Sequence, residues 1–503
     1  MEKLTLNIDP SNTKQRKTLG NFFKRKLLFD KYSGWLVFCV FVFFASILTY
    51  ATSKYGAIVG FISILCLVGP ILVFFIVSKP EFGILIYLTL AYTLNLFSRY
   101  LIDDFPLGTI MDGMLVLFIL GIFIQMKKKK EWHLFNNNIS ILILVWVLYN
   151  LMQVLNPAQE SKLAWLYTVR TVALVTLMYF IFLFNIRTKS FIKTVFKWWI
   201  LMSFIAACFA MKQEYIGFDA VEQKWLDTHP QLAGLLFLAG HWRKFSIFTD
   251  PVTFAYNMAT ASMFCIALIT GPVKTYKKML LGLLAFFFLY VMLFSGTRAA
   301  NPLIPAALIL FAILKFNKKV IIFTGASLIF IVLLIFVPTS NQNILRFQTA
   351  FRPNQDASYQ TREENQAKIK PYVYSHPFGG GLGATGEWGA RFSPNSYLGK
   401  FQPDSGYVRT TVELGWVGLL LFSLMVFTIL KTGIYNYFTL KDPQLKSYLL
   451  AVILIVFIWN VGNFPQQAIV QYPSNVLFFL SVALMVAIYR IDQQQNLSVD
   501  EKQ

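Results

Sequence analysis

Charge is scarce in this chain and unevenly divided. Only 14% of its 503 residues are Asp, Glu, Lys or Arg, and 24 acids face 45 basic residues. A soluble domain of that length exposes far more charge, so that class is excluded. Cysteine is as sparse. Cys39, Cys66, Cys208 and Cys265 all fall in apolar stretches and none has metal-ligand spacing, which points away from a disulfide framework or a zinc site. His133, His229, His241 and His376 are scattered. There is no Ser/His/Asp arrangement with recognisable context, no internal repeat and no low-complexity tract. The first 33 or so residues are polar and basic and lack an early apolar core, so no cleavable signal peptide is expected and the first span is its own signal.

What is present is apolar length. Hydrophobic residues make up 56% of the chain and aromatic residues 17%. Runs of about 20 apolar residues are long enough to cross a bilayer. About fourteen can be read, near 35–53, 57–78, 82–98, 107–126, 139–156, 163–186, 191–211, 251–270, 279–296, 301–316, 320–337, 411–431, 446–462 and 470–490. The fold expected is therefore all-α and integral to the membrane.

The loops test that count. With the N-terminus inside, the clusters Lys127–Lys130, Arg187 with Lys189 and Lys193, Lys274 with Lys277 and Lys278, Lys315 with Lys318 and Lys319, and Lys431 with Lys441 and Lys446 all fall on the cytoplasmic side, as does the basic arm with Lys24-Arg25-Lys26. That is the usual bias of short loops, and it accounts for the +21 net charge without nucleic acid. Both termini are then cytoplasmic. Two long connections, about 212–250 and 338–410, fall outside. The second precedes the twelfth span and holds eight basic residues against five acids. Long loops follow the charge bias weakly, so outer basic residues are open to an anionic ligand.

Several segments there carry candidate chemistry. Ser295-Gly296-Thr297-Arg298 closes the ninth span. Arg298 either snorkels to the headgroups or presents a cation at a helix junction, where the small neighbours Gly296, Ala299 and Ala300 admit a bulky anion. Asp250-Pro251 reads as a helix start, Asp at the cap and Pro at the first position. That leaves Arg243 and Lys244, just upstream, unexplained. Asp112 and Arg170 lie inside spans, where a charge costs about 2.5–3.5 kcal/mol on insertion scales. They either pair or line a polar cavity. Gly381-Leu382-Gly383-Ala384-Thr385-Gly386 matches a dinucleotide-binding pattern by letter. No βαβ unit surrounds it, so the glycines read as a tight loop able to lie close to a ligand.

Taken in order, these segments resemble the bacterial O-antigen ligase and O-antigen polymerase superfamily, integral glycosyltransferases of the class C type. The resemblance rests on Arg243 to Pro251, Ser295 to Arg298, Asp356-x-Ser358…Arg362, His376 to Gly383 and Val412 to Leu420, and covers about 240–430. Ligase-type members carry a His-Asn pair shortly before the Glu-Leu-Gly element, and here that place reads Asp404-Ser405-Gly406. The departure favours a polymerase of O-antigen, capsule or exopolysaccharide repeat units over a ligase.

The resemblance implies a donor glycan on undecaprenyl diphosphate at the outer leaflet, attacked by a hydroxyl of an acceptor glycan. It implies cations for the diphosphate, with Arg298 and Arg243 first and Arg362 third, and Lys244 and Arg409 as further substrate contacts. It implies Asp404 to orient or deprotonate the acceptor, with His376 as competitor, and Tyr407 and Trp416 to stack on sugar or sit at the interface. No cofactor or metal is expected. The expected partners are the lipid-linked glycan, membrane lipid and a possible chain-length regulator. A lipid-linked oligosaccharide flippase is the competing class. It would show internal repeats and polar residues deep in several helices.

Overall fold

A computed structural model describes residues 33–55, 79–100, 108–238, 240–352 and 357–500. The basic arm 1–33 (but for its last residue), the second expected span at 57–78, Cys66 and Asp356 lie outside them. The chain divides into two units, Met1–Phe74 and Phe75–Gln503. In the first, Ser33–Tyr55 is one 23-residue helix, where the first expected span lies.

The second unit is a helical membrane domain. Among the described residues eleven helices are long and apolar enough to cross a membrane, from Pro80–Tyr100 to Ser474–Leu497. They answer to eleven of the fourteen expected spans. The tenth, expected at 301–316, is shorter: the apolar helix Leu303–Leu314 runs 12 residues after a 3-10 turn at Arg298–Ala300. The two proline residues Pro302 and Pro305 explain the late start, since proline fits only the first turn of a helix.

The bundle's buried centre is formed by Pro251–Ile269, Pro443–Gly462 and Ser474–Leu497, each with about four-fifths of its apolar window covered by protein. Lys318–Phe336, with only 11% covered, leaves nearly all its apolar surface for lipid. Small residues let the central helices approach closely. A Cβ on Gly462 would meet the Tyr256 ring at 2.7 Å, and one on Gly271 the Ser447 Oγ at 2.5 Å.

The succession of helices gives the unit two ends. One gathers the short basic connections, tied by Arg187 to Glu131 at 2.6 Å and Lys189 to Asp442 at 2.5 Å. The other gathers residues 212–250, 293–302, 338–405 and 463–473. The loops with clustered positive charge and the long loops thus stand at opposite ends, as the charge pattern anticipates.

The long loops fold on themselves. The first holds helices Ala220–Thr228 and Pro230–Leu236 and a hairpin pairing Phe237–Leu238 with His241–Trp242, around a small core of Leu226, Leu236 and Phe245. Arg99, from the end of Pro80–Tyr100, pins it. Its guanidinium lies 4.6 Å from the Phe245 ring and donates to the Ser246 carbonyl at 3.1 Å and that of Phe248 at 2.5 Å. The second holds helices Gln342–Thr349, Ala357–Ser375 and Gly386–Phe392, with a core of Ile369, Ala384, Leu398 and Val412.

Two local expectations meet their structure directly. Asp250 caps Pro251–Ile269, accepting from the Val252 and Thr253 amides at 2.7 and 2.9 Å. Asp250→Ala removes that cap and is expected to destabilise the protein by about 1 kcal/mol, read as a lower thermal midpoint in detergent. Asp112 and Arg170 form an ion pair at 3.1 Å.

Candidate functional site

Two groups of charged residues occupy the long-loop end. The first is built on the turn after Thr275–Met292. That helix ends in a 3-10 turn at Leu293–Ser295, and Gly296 takes the left-handed conformation (φ +55) that stops it. The Ser295 Oγ accepts from the Thr297 amide at 3.0 Å, and Thr297 donates to the Pro251 carbonyl at 3.1 Å. The Ser-Gly-Thr-Arg turn is thereby fixed to the start of Pro251–Ile269.

Arg243 lies across this turn, donating from Nε to the Ser295 carbonyl at 2.9 Å and from Nη2 to the Thr297 hydroxyl at 3.1 Å. A third arginine completes the group. Arg346, on Gln342–Thr349, is 9% exposed and donates to the Leu238 carbonyl. A Cβ on Gly296 would stand 2.5 Å from its Nη1, so only glycine admits this guanidinium. That Nη1 is buried with no hydrogen-bond acceptor.

The cations feel one another. Burial pulls the Arg243 pKa down to about 10. Asp250 opposes the shift, and the charges of Arg346 and Arg298 add to it. Burial and Arg298 likewise lower that of Arg346. The three guanidiniums are thus held close enough to repel one another. Lys244, the other basic residue expected here, is 6% exposed and pairs with Glu214 at 3.4 Å, while its amide donates to the Phe294 carbonyl at 3.0 Å.

The second group surrounds the start of Gly406–Thr439. Arg362 lies 3.4 Å from Asp404, whose carboxylate is about half exposed. Arg362 therefore stands with Asp404 rather than with Arg298 and Arg243. The pair borders a shallow surface depression lined also by Gln366, Gln402, Ser405 and Val408. Arg409 is spoken for: its Nε lies 3.1 Å from Glu413 and its Nη1 donates to Gln467 at 2.8 Å. Arg409, Thr410, Glu413 and Asn463 line a cleft of about 80 Å³, its remaining wall mostly apolar and including Phe422 and Phe478.

His376 lies flat on Tyr372, with ring centroids 3.9 Å apart, and its Nδ1 stands 2.9 Å from the Ser375 hydroxyl. Tyr407 turns into the bundle, where its hydroxyl donates to the Asn460 carbonyl at 3.2 Å and its ring meets Phe422. Trp416 is 42% exposed beside Tyr374.

The glycine-rich loop has a different task from the one its letters suggest. Gly415 (φ +69) breaks Gly406–Thr439 from within. A break strands backbone groups that a helix would pair, and each is costly away from water. The loop repairs them. Gly380 and Gly381 donate to the Val412 and Glu413 carbonyls at 2.9 Å each, and Trp416 donates back to the Pro377 carbonyl at 2.9 Å. Tyr149 donates to the third stranded carbonyl, that of Leu414, at 2.7 Å. The buried Glu413 carboxylate accepts from the Gly383 amide at 3.0 Å, the Thr385 amide at 3.3 Å, the Thr385 hydroxyl at 2.5 Å and Arg409. A Cβ on Gly379 would lie 2.5 Å from the Glu413 carbonyl oxygen, so the backbones must touch. The close approach anticipated for a ligand is taken by the protein's own helix.

Residues 463–473 join the two groups. Gln467 donates to the Pro403 carbonyl beside Asp404. Gln471 accepts from Thr253, which also donates to Asp250. Neither glutamine stands out in the sequence, nor does Arg346, one of eight basic residues in its loop. The signal for Arg346 is its place on Gly296, which only the fold supplies. For the glutamines a faint signal exists, a polar run Asn463-Phe464-Pro465-Gln466-Gln467 between two spans. Among the described residues no group of three or more His, Cys, Asp or Glu is placed to hold a metal ion.

No curated protein matches the chain. Residues 283–423, which hold the Ser295–Arg298 turn, Arg346, the glycine-rich loop and the helix break, match the family model described as O-antigen ligase, and that match supports the chain's membership of the O-antigen ligase and polymerase superfamily.

Proposed function

We propose that this multi-pass membrane protein is a glycosyltransferase that polymerises oligosaccharide repeat units carried on undecaprenyl diphosphate. In this reading the long-loop end faces outward from the bacterial cytoplasmic membrane and both termini are cytoplasmic. The observation that carries it is the convergence of Arg243, Arg298 and Arg346 on one rigid turn. Even with Asp250 acting on Arg243, the three guanidiniums raise one another's cost of ionisation, and a bound diphosphate would relieve that repulsion. Arginine suits it because the planar fork binds two phosphate oxygens at once and keeps its charge. The family match to O-antigen ligase supports a lipid-linked glycan as the substrate.

In the reaction an acceptor hydroxyl attacks the anomeric carbon and the lipid diphosphate departs with the bonding pair. The leaving group is already anionic, so stabilisation by preorganised cations replaces a strong acid. Fixed arginines meet the charge that develops, and the chemistry calls for no metal. The cleft, apolar within and polar where Arg409 and Glu413 stand, suits an amphiphile. Asp404, about half exposed and steadied by Arg362, is open to a hydroxyl of an acceptor sugar. Asp404→Asn is then expected to raise KM for acceptor several-fold more than it lowers kcat.

A polymerase is preferred to a ligase on the Asp404-Ser405-Gly406 sequence, which lacks the His-Asn pair. A chain-length regulator remains a possible partner.

Binding tests the arginine site. Purified protein is expected to hold undecaprenyl diphosphate at least about tenfold tighter than undecaprenyl monophosphate, and Arg346→Ala to remove that preference, since a hydrogen bond to a charged group is worth about 1.5–3 kcal/mol. Equal affinity for the two lipids in the wild-type protein would refute the site.

A further inference from the structure

A buried polar cluster adjoins the arginine turn, where the end of Lys189–Tyr215, the hairpin and Gln342–Thr349 meet. It is centred on the hairpin that pairs Leu238 with His241. The His241 Nε2 lies 3.6 Å from the Glu214 Oε2, and the Lys244 Nζ lies 3.4 Å from the same oxygen. Glu214 comes from the end of Lys189–Tyr215, and its other oxygen accepts from Asn343 at 3.4 Å. Arg346 reaches in from the opposite side. One of its nitrogens donates to the Leu238 carbonyl, and the other lies against Gly296. Arg346 therefore bridges the imidazole hairpin and the Ser295–Arg298 turn, beside the direct contacts that Arg243 makes with that turn.

The cluster is under-satisfied. The buried Glu214 Oε2 and His241 Nε2 meet each other and Lys244 only at 3.4–3.6 Å, too far for a good hydrogen bond, and the buried Asn343 Oδ1 and Arg346 Nη1 have no hydrogen-bond partner. Buried polar atoms in native proteins are nearly always paired, so four together mark a place for polar ligand atoms.

We infer that His241, oriented by Glu214, is the general base that takes the proton from the acceptor hydroxyl, with Arg346 shared between this base and the diphosphate. The inference rests on the glycosyl-transfer reading above. With its Nε2 turned to Glu214, the ring offers Nδ1 to the acceptor. The hydroxyl oxygen forms its bond to the anomeric carbon, and the bond from that carbon to the diphosphate oxygen breaks with its electron pair. The hydroxyl proton passes to Nδ1. The resulting imidazolium faces Glu214, then returns its proton to the released diphosphate or to water. Glu214 is the positioning residue.

The charges around the ring come from Glu214, Lys244 and Arg346. Burial lowers the proton affinity of His241, Glu214 opposes this, and Lys244 and Arg346 lower it further, leaving it below the ordinary histidine value. The neutral ring is the active form of a base. Activity is therefore expected to rise with pH through a point on the acid side of that value and to be level at neutrality. Removing the opposing carboxylate by Glu214→Gln shifts that limb to lower pH.

The test uses full-length protein in lipid nanodiscs with an undecaprenyl-diphosphate-linked oligosaccharide. His241→Gln is expected to lower kcat at least about 100-fold, within the usual range for a lost general base. Undecaprenyl diphosphate binding should stay within about threefold of wild type, and the acid limb should vanish. Added imidazole is expected to restore part of the rate in His241→Ala. A His241→Gln protein within threefold of wild-type rate, with the acid limb unchanged, overturns the inference while leaving the glycosyl-transfer reading intact. Loss of lipid binding together with activity, and no rescue by imidazole, overturns it in favour of a structural role. An inactive wild-type protein brings down the reading and the inference together.

Discussion

Arg298→Ala leaves the protein folded in the membrane and lowers glycan transfer by about 100- to 1,000-fold, the usual loss when one preorganised donor to a developing anion is removed. Arg298 opens the 3-10 turn at Arg298–Ala300, and its charge lowers the proton affinity of both Arg243 and Arg346. The turn itself is held by the Ser295 and Thr297 side chains, which the substitution does not touch. Folding should therefore survive. The loss should appear in kcat and in diphosphate affinity together. Arg298→Lys is expected to recover little, because an ammonium keeps the charge but not the fork. Transfer and electrophoretic profile in nanodiscs check both points, and a wild-type rate in Arg298→Ala would remove this residue from the site.

Gly415→Val prevents accumulation of folded protein. Two costs coincide. The position needs φ +69, which a β-branched residue adopts only under strain. The added Cβ would overlap the Pro377 carbonyl, the group that accepts from Trp416. Relieving that overlap moves the 377–383 loop away, and the Val412 and Glu413 carbonyls lose their donors. The loss of several hydrogen bonds near the membrane exceeds the whole stability of an ordinary domain, about 5–15 kcal/mol, when a buried Glu413 is stranded as well. Glu413→Gln is the milder probe. It keeps the shape but turns one acceptor into a donor that must face either the Gly383 amide or the Thr385 donors, and should lower the thermal midpoint by an amount set by about 1–3 kcal/mol. Size-exclusion recovery in detergent reads both variants.

The spans were legible because crossing lipid imposes a length and a composition that nothing else in the sequence mimics. The charge pattern placed the loops for the same reason: Lys127–Lys130, Lys274–Lys278 and Lys315–Lys319 sit at one end of the unit, the long loops at the other. Local signals with local causes also carried through, as at Asp250-Pro251. Pairings across many residues did not. Arg362 carries the same letter as Arg346, yet it lies beside Asp404 while Arg346 fills the space over Gly296. The glycine-rich loop looks like a ligand cradle because glycine signals close approach without saying to what. Here the partner is a helix broken at Gly415, 32 residues beyond Gly383. His241 sits on a hairpin of two residues per strand, too short to leave a periodic signal, and meets Glu214 from the end of Lys189–Tyr215.

The central claim is that the arginine turn binds a lipid diphosphate while glycan is transferred from it. The most direct measurement is to incubate purified wild-type, Arg298→Ala and Arg346→Ala proteins with undecaprenyl-diphosphate-linked repeat units and resolve the products by size. The account predicts a ladder of lengthening glycans with release of undecaprenyl diphosphate for the wild type, and neither for the two variants. No ladder from a wild-type preparation that moves lipid-linked glycan across liposomes, or a full ladder from both variants, would contradict it.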